Sequence, residues 1–253
     1  GEQGGGGAAG SGWPRARVSA KEISYSWVIE SHVRKGDVEG AAGWLEAMMA
    51  SGVRPNVFAF SVVISGFSSK GDAGEAVSWL KRMLAEGLLP NVYSYTAVID
   101  GCAKAGDPQG AKSWFNSMLQ RSVAPNTVAH NAVINALARR GDWEGAVNWL
   151  ARMRRDSRVN GSANPDEVSF NSAIHACADP DHAHAGEAER LFRDMRAADL
   201  WPTASTLSAL AKAVGAQRRD RLCAELGVDP SKAQGHRLHR HLPQQRKAKP
   251  LAR

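Results

Sequence analysis

The chain has 253 residues, 43% hydrophobic and 23% charged, enough apolar material to bury one or two cores. No apolar run of roughly 18 residues occurs, so no membrane-spanning helix is expected. Cys102, Cys177 and Cys223 stand too far apart for a disulfide framework or a zinc ribbon, which suits a reducing compartment. The formal charge of +7 resides at the end of the chain: residues 231–253 hold seven Lys or Arg and no acid, and the remaining 25 basic residues face 25 acidic ones.

Residues 1–21 open with GEQGGGGAAGSG, a flexible lead-in, followed by the basic WPRARVSA, which fits both the end of an organelle transit peptide and a linker. A first residue of Gly points to a fragment, a processed form or a trimmed chain. From Glu22 the sequence repeats itself, in units 22–56, 57–91, 92–126, 127–166 and 167–203, with a partial sixth from Ala204. The first three units have 35 residues, the fourth 40 and the fifth 37. The extra five lie in RRDSRVNGSANPD, between Met153 and Pro165, and the extra two in DPDHAHAGE. Residues 216–230 read as a capping helix or the end of the partial repeat, and 231–253 as a basic disordered tail able to add non-specific phosphate contacts.

Each unit carries two helical patterns. In the first, helix A, positions 4, 7, 8 and 11 read Tyr25, Val28, Ile29 and His32, then Phe60, Val63, Ile64 and Phe67, then Tyr95, Val98, Ile99 and Cys102. Units four and five continue with His130, Val133, Ile134 and Leu137, and with Phe170, Ala173, Ile174 and Cys177. Spacings of three, one and three place these on one helical face. A Gly-Asp turn follows at Gly36, Gly71, Gly106 and Gly141. Helix B then carries a small residue, an aromatic-aliphatic pair and a methionine, as in Ala76, Trp79, Leu80 and Met83. The recurrent Trp44, Trp79, Trp114 and Trp149 read as packing between neighbouring repeats. Proline ends helix B in RPN, LPN, APN and NPD. One such hairpin cannot bury both of its faces, whereas stacked copies can, so the expected fold is an all-α solenoid.

A second stripe on helix A faces away from that core. Position 2 reads Ile23, Phe58, Tyr93, Val128 and Val168, and position 5 reads Ser26, Ser61, Thr96, Asn131 and Asn171. The last residue of each unit reads Asn56, Asn91, Asn126, Asp166 and Thr203. Basic residues recur at positions 13 and 14: Arg34, Lys35, Lys70, Lys104, Arg139 and Arg140. An apolar platform, a small donor-acceptor and a cation at fixed spacing suit a stacked nucleobase, its Watson–Crick edge and a phosphate. The competing reading has position 5 cap its own helix.

The stretch NVYSYTAVIDGCAKAGDPQGAKSWFNSMLQRSVAPN resembles the pentatricopeptide repeat (PPR) motif over its full length, and residues 22–215 resemble a P-type array of about five to six repeats. The tetratricopeptide repeat, which favours Gly at position 8, fits less well, because Ile29, Ile64, Ile99, Ile134 and Ile174 stand there. The resemblance implies a right-handed α-solenoid of stacked helix-turn-helix repeats that binds single-stranded RNA, one base per repeat. It implies that position 5 and the last residue choose the base together. Ser26 with Asn56, Ser61 with Asn91 and Thr96 with Asn126 then favour A, Asn131 with Asp166 favours U, and Asn171 with Thr203 is an uncommon pair of weak pyrimidine preference. The implied site is 5′-AAAU(Y), with the inserted residues separating Asn131 from Asp166. Work on organelle transcripts in a chloroplast or mitochondrion, in processing, stability or translation, is implied as well, with a separate RNA-processing or editing enzyme as a possible partner. The alternative is a protein-interaction solenoid or adaptor that holds a peptide or partner helix.

No paired carboxylates, Gly-rich phosphate loop or nucleophile-base set suggests an enzyme, and no cofactor or small-molecule substrate is expected. His182 and His184, and His236, His239 and His241, lack the Cys or carboxylate companions of a zinc site. Five bases distinguish only about a thousand sequences, which points to a longer array or a partner.

Overall fold

The computed structural model describes residues 20–161, 163–178, 184–230 and 233, and every regular element among them is helical. The chain divides into two compact units that meet at Ala124 and Pro125. The first holds α1 (Ala20–Arg34), α2 (Val38–Ala50), α3 (Val57–Lys70), α4 (Ala73–Ala85), α5 (Val92–Lys104) and α6 (Pro108–Gln120). The second holds α7 (Thr127–Arg139), α8 (Trp143–Asn160), α9 (Glu167–Ala176), α10 (Ala185–Ala197), α11 (Ala204–Val214) and α12 (Ala216–Glu225). Odd-numbered helices are the A helices of successive repeats and even-numbered ones the B helices. α1 begins at Ala20, inside the expected lead-in, because Ala20 and Lys21 are good helix formers and Glu22 complements the N-terminal dipole of its first turn. The rest of the lead-in, and the basic tail apart from residue 233, lie outside the described residues.

Both turns of the repeat are fixed by caps. Gly71 adopts a left-handed φ of +82° that closes α3, and Asp72 then caps α4 by accepting from the Glu75 N–H at 3.0 Å. Asp37, Asp107 and Asp142 cap α2, α6 and α8 in the same way, at 2.8 to 2.9 Å. Each such cap contributes about 1 kcal/mol. At the other turn the last residue of one repeat caps helix A of the next. Asn56, Asn91 and Asn126 accept through Oδ1 from the N–H groups of Ala59, Ser94 and Ala129, at 2.8, 3.0 and 2.9 Å. Asp166 and Thr203 accept from Ser169 and Thr206 at 3.0 and 3.2 Å. Helix capping therefore belongs to the last residue, and position 5 lies more than one turn inside the helix.

The core is the same set of positions repeated. Ala41, Ala76, Ala111, Ala146 and Ala188 of the B helices are fully buried, as are Met48, Met83, Met118, Met153 and Met195. Phe60, Val63, Ile64, Val98, Ile99, Val133, Ile134, Ala173 and Ile174 of the A helices are buried against them. In the first repeat Tyr25, Val28 and His32 are only half-buried, since no described helix precedes α1. Within the first unit helix A approaches the preceding repeat closely at position 10. A Cβ on Gly66 would stand 2.9 Å from Val38 Cγ1, and one on Gly101 2.9 Å from Ser68 Oγ.

The recurrent tryptophans meet aromatic rings of their own repeats: Trp44 lies 6.1 Å from Tyr25, Trp79 6.1 Å from Phe60 and Trp149 6.5 Å from His130, ring centre to ring centre. Their burial follows the residue one turn on. Arg82 and Arg152 cover the rings of Trp79 and Trp149, which are 6% and 8% exposed, whereas Ala47 leaves Trp44 at 42%. The five inserted residues of the fourth repeat lengthen its B helix. α8 has 18 residues where α2, α4, α6 and α10 have 13, and it ends on Gly161 in the left-handed region. The extra helix adds about 7 Å of length, and residues 163–166 bring the chain back to cap α9. Most of the two-residue insertion falls on residues 179–183, outside the described residues.

Candidate functional site

Residue 2 of each A helix lies in the first turn, on the side opposite the core. Ile23, Phe58, Tyr93, Val128 and Val168 are accordingly 41% to 58% exposed, although all are large and apolar. In the first unit they are the walls of two successive grooves. A cavity of about 250 Å3 lies between Ile23 and Phe58, with Ser26 and Asn56 inside and Trp27 and Glu30 at its edge. One of about 650 Å3 lies between Phe58 and Tyr93, with Ser61 and Asn91 inside and Ser65 and Arg34 at its edge. Tyr93 is steadied as a wall by its hydroxyl, which donates to Ser65 Oγ at 2.9 Å.

The caps orient the polar groups between the walls. An asparagine that turns Oδ1 toward a helix N–H must turn Nδ2 away from it. Asn56 Nδ2 donates to Ser26 Oγ at 3.4 Å and to Glu22 Oε1 at 2.9 Å. Ser61 and Asn91 meet through a third residue: Ser61 Oγ lies 2.6 Å from Ser94 Oγ, which donates to Asn91 Oδ1 at 3.0 Å. In the second unit Asn131 Nδ2 donates to Asp166 Oδ1 at 2.9 Å, so the longer α8 keeps this pair together. Ser169 Oγ bonds both members, at 2.5 Å to Asn131 Oδ1 and 2.9 Å to Asp166 Oδ1. Thr203 is joined to Thr206 at 3.0 Å, while Asn171 Oδ1 is buried and makes no hydrogen bond. Thr96 Oγ1 is likewise buried without a hydrogen bond, and Asn126 is held by its cap.

The basic stripe is more engaged than its sequence suggests. Arg34 pairs with Glu30 at 2.7 Å, Lys104 with Asp100 at 2.8 Å, and Lys70 with Glu39 of the preceding repeat at 2.7 Å. These pairs are exposed and each contributes little, so an incoming anion can displace the carboxylates. Lys35, Arg139 and Arg140 are exposed at the ends of their helices. The carboxylates Glu30 and Asp100 share position 9 and were not singled out by the sequence pattern. Neither were Ser94, Ser169 and Thr206, at position 3. Their signal was available, because position 3 varies between alanine and a hydroxyl along the chain just as position 5 varies.

No chemically reactive group stands in this stripe. Cys102 and Cys177 are buried in the core, and burial pushes their thiols up to about 11 and about 12, so both are neutral packing residues. Among the described residues no three His, Cys, Asp or Glu side chains gather as metal ligands. His184 stacks on Trp143, with ring centres 4.0 Å apart. His182, His236, His239 and His241 lie outside the described residues.

The chain matches the PPR repeat family over residues 20–69, 57–104 and 94–138, and the PPR repeat over 128–157. None of the curated proteins compared with it matches significantly. Among solved structures it is similar to the PPR domain of Arabidopsis thaliana protein-only RNase P 1 (PRORP1), determined in complex with tRNA. The identity is 16% and the TM-score 0.65, over 80% of this chain and 100% of that one. It is also similar to pentatricopeptide repeat protein PPR10, determined with an 18-nt psaJ RNA element, at 18% identity and a TM-score of 0.65 over 85% of this chain. Nuclear proteinaceous RNase P 2 (PRORP2) of A. thaliana follows, at 15% identity and a TM-score of 0.63 over 76% of this chain. The chain spans 31% of the PPR10 chain and 41% of the PRORP2 chain. These likenesses establish the fold, a helical solenoid of PPR repeats. The matched repeats run without a gap through residues 20–157, more than half of the sequence, and the chain belongs to the PPR family.

Proposed function

We propose that this chain binds single-stranded RNA without catalysing a reaction, taking one base per repeat between successive position-2 side chains. The observation that carries the reading is the pair of grooves in the first unit. Each is walled by two exposed apolar residues and holds one predicted base-reading pair. Stacking on such walls is tolerant of base identity, so selectivity falls to the polar groups between them.

Those groups divide by hydrogen-bond polarity. An asparagine held by its cap offers an N–H, which suits the ring-nitrogen acceptors of adenine and cytosine. An aspartate offers only oxygens, which suit the ring N–H of uracil and guanine. Polarity leaves A or C for the asparagines and U or G for the aspartate, and the family resemblance assigns Asn56, Asn91 and Asn126 to A and Asp166 to U, with Ser26, Ser61, Thr96 and Asn131 as their partners. Asn171 with Thr203 is assigned a weak pyrimidine preference, which gives 5′-AAAU(Y). Arg34, Lys35, Lys70, Lys104, Arg139 and Arg140 are assigned to phosphates. The proposal includes work on organelle transcripts in a chloroplast or mitochondrion, in processing, stability or translation, on the strength of the family resemblance. It also allows recruitment of a separate RNA-processing or editing enzyme. PRORP1 and PPR10 were each solved with RNA, which supports RNA as the ligand class.

Selection from a randomised short RNA pool at fixed salt tests the reading. Enrichment of A-rich cores followed by U is expected, and recovery of an unbiased pool would overturn it.

A further inference from the structure

In two of the sites a single hydroxyl from position 3 of the following repeat touches both members of the base-reading pair, and it decides which of them can donate. Ser94 is the clearest case. Its N–H and its Oγ both donate to Asn91 Oδ1, each at 3.0 Å. A hydroxyl has one proton. In the 2.6 Å contact between Ser94 and Ser61, the donor is therefore Ser61. Ser61 thus spends its only proton on Ser94 and offers a ligand nothing but lone pairs. Asn91, with Oδ1 held by two donors, offers its N–H. The second site presents a donor beside an acceptor, the complement of the N1 and N6 amino group of adenine.

The first site has the same two residue types and the opposite polarity. Ala59 stands where Ser94 stands, so no hydroxyl draws the proton from Ser26. Instead Ser26 Oγ accepts from Asn56 Nδ2 at 3.4 Å, and the same amide donates to Glu22 Oε1 at 2.9 Å. Ser26 keeps its proton as a donor, while the amide of Asn56 is engaged by Glu22. In the fourth site Ser169 also touches both members, but its one proton goes to Asn131 Oδ1, the acceptor at 2.5 Å. Asp166 Oδ1 accepts from Ser169 N–H and from Asn131 Nδ2, at 3.0 and 2.9 Å, which fixes the carboxylate before any base arrives.

Resting on the RNA-binding reading above, we infer that position 3 of the following repeat is a third specificity-determining residue, which sets the hydrogen-bond polarity of the pair it touches. Ser61 with Asn91 and Ser26 with Asn56 then differ in base preference although a two-residue reading makes them equal. The second site discriminates A from G, and the first does so weakly.

The test uses the full chain and pentamer RNAs that differ only at their first or second base. Ser94→Ala returns the proton to Ser61 and lowers the preference for A over G at the second base by roughly three- to tenfold, the value of about one hydrogen bond. Alanine stands at this position in Ala59 and Ala129, so folding is retained, and an unchanged thermal midpoint verifies it. Ala59→Ser acts in the other direction and raises the A-over-G preference at the first base only. A parent protein that discriminates at the second base, with Ser94→Ala leaving that ratio unchanged, overturns the inference and leaves RNA binding standing. A parent with no base preference at any position overturns the one-base-per-repeat reading and this inference with it.

Discussion

His130 gives the second unit a defined acid sensitivity. It occupies position 4 of α7, where the other repeats carry Tyr25, Phe60, Tyr95 and Phe170, and it is 1% exposed. Burial pulls its pKa from the ordinary 6.5 down to about 4. The Asp156 carboxylate, 3.8 Å from Nε2, opposes the fall, and the Arg152 guanidinium adds to it. The imidazole is therefore neutral in the folded chain at pH 7 and packs on Trp149 as an aromatic ring. Between pH 6.5 and 4 the unfolded chain binds a proton here that the folded chain does not, so stability falls as the pH falls. The full difference is on the order of 3 kcal/mol, and about 2 kcal/mol of it appears between pH 7 and pH 5. His130→Phe installs the side chain of Phe60 and Phe170 and removes the titrating group. Urea unfolding followed by tryptophan fluorescence at pH 7 and pH 5 measures the effect. The parent should lose about 2 kcal/mol more than His130→Phe across that interval. Equal losses in the two proteins would refute the argument.

Tyr93→Ala removes one groove wall and should weaken RNA binding by about 1 to 3 kcal/mol, the value of one stacked base, in an equilibrium titration. Because Tyr93 is 52% exposed, the thermal midpoint should change little, and a large stability loss with unchanged affinity would contradict its placement. Gly66→Ala forces a methyl group against Val38 and should cost about 1 to 3 kcal/mol of folding stability in urea. Lys35→Gln and Arg140→Gln should each lower the slope of log affinity against log salt by about 0.7, a uniform effect across sequences. A change confined to one base would mean that these side chains do not meet phosphate.

The fold was legible because packing repeats. Ile29, Ile64, Ile99, Ile134 and Ile174 recur at one place for one reason, burial against the neighbouring helices, and periodicity reports burial directly. The exposed row from Ile23 to Val168 was legible for the converse reason, since apolar residues recurred on a face the core does not use. Periodicity marks the tryptophans as packing residues without naming their partners, and the structure sets Tyr25, Phe60 and His130 beside Trp44, Trp79 and Trp149. The inserted residues after Met153 were located by repeat length alone, and in the structure they continue α8 up to Gly161. Ser94 and Ser169 were passed over because the role of a hydroxyl depends on where its single proton goes, and only distances to Ser61, Asn91, Asn131 and Asp166 settle that. The cations at Arg34, Lys70 and Lys104 were found, but their carboxylate partners lie four residues away or in the preceding repeat.

The central claim is that the pair between two groove walls chooses the base. Ser61→Asn combined with Asn91→Asp places in the second site the residue types that Asn131 and Asp166 supply in the fourth, with Ser94 matching Ser169. Affinities of the parent and the double variant for pentamers carrying A or U at the second base give the answer. The account predicts that the preference moves from A to U at that base and stays as it was at the others. An unchanged preference, or a loss of affinity shared by every RNA, would contradict it.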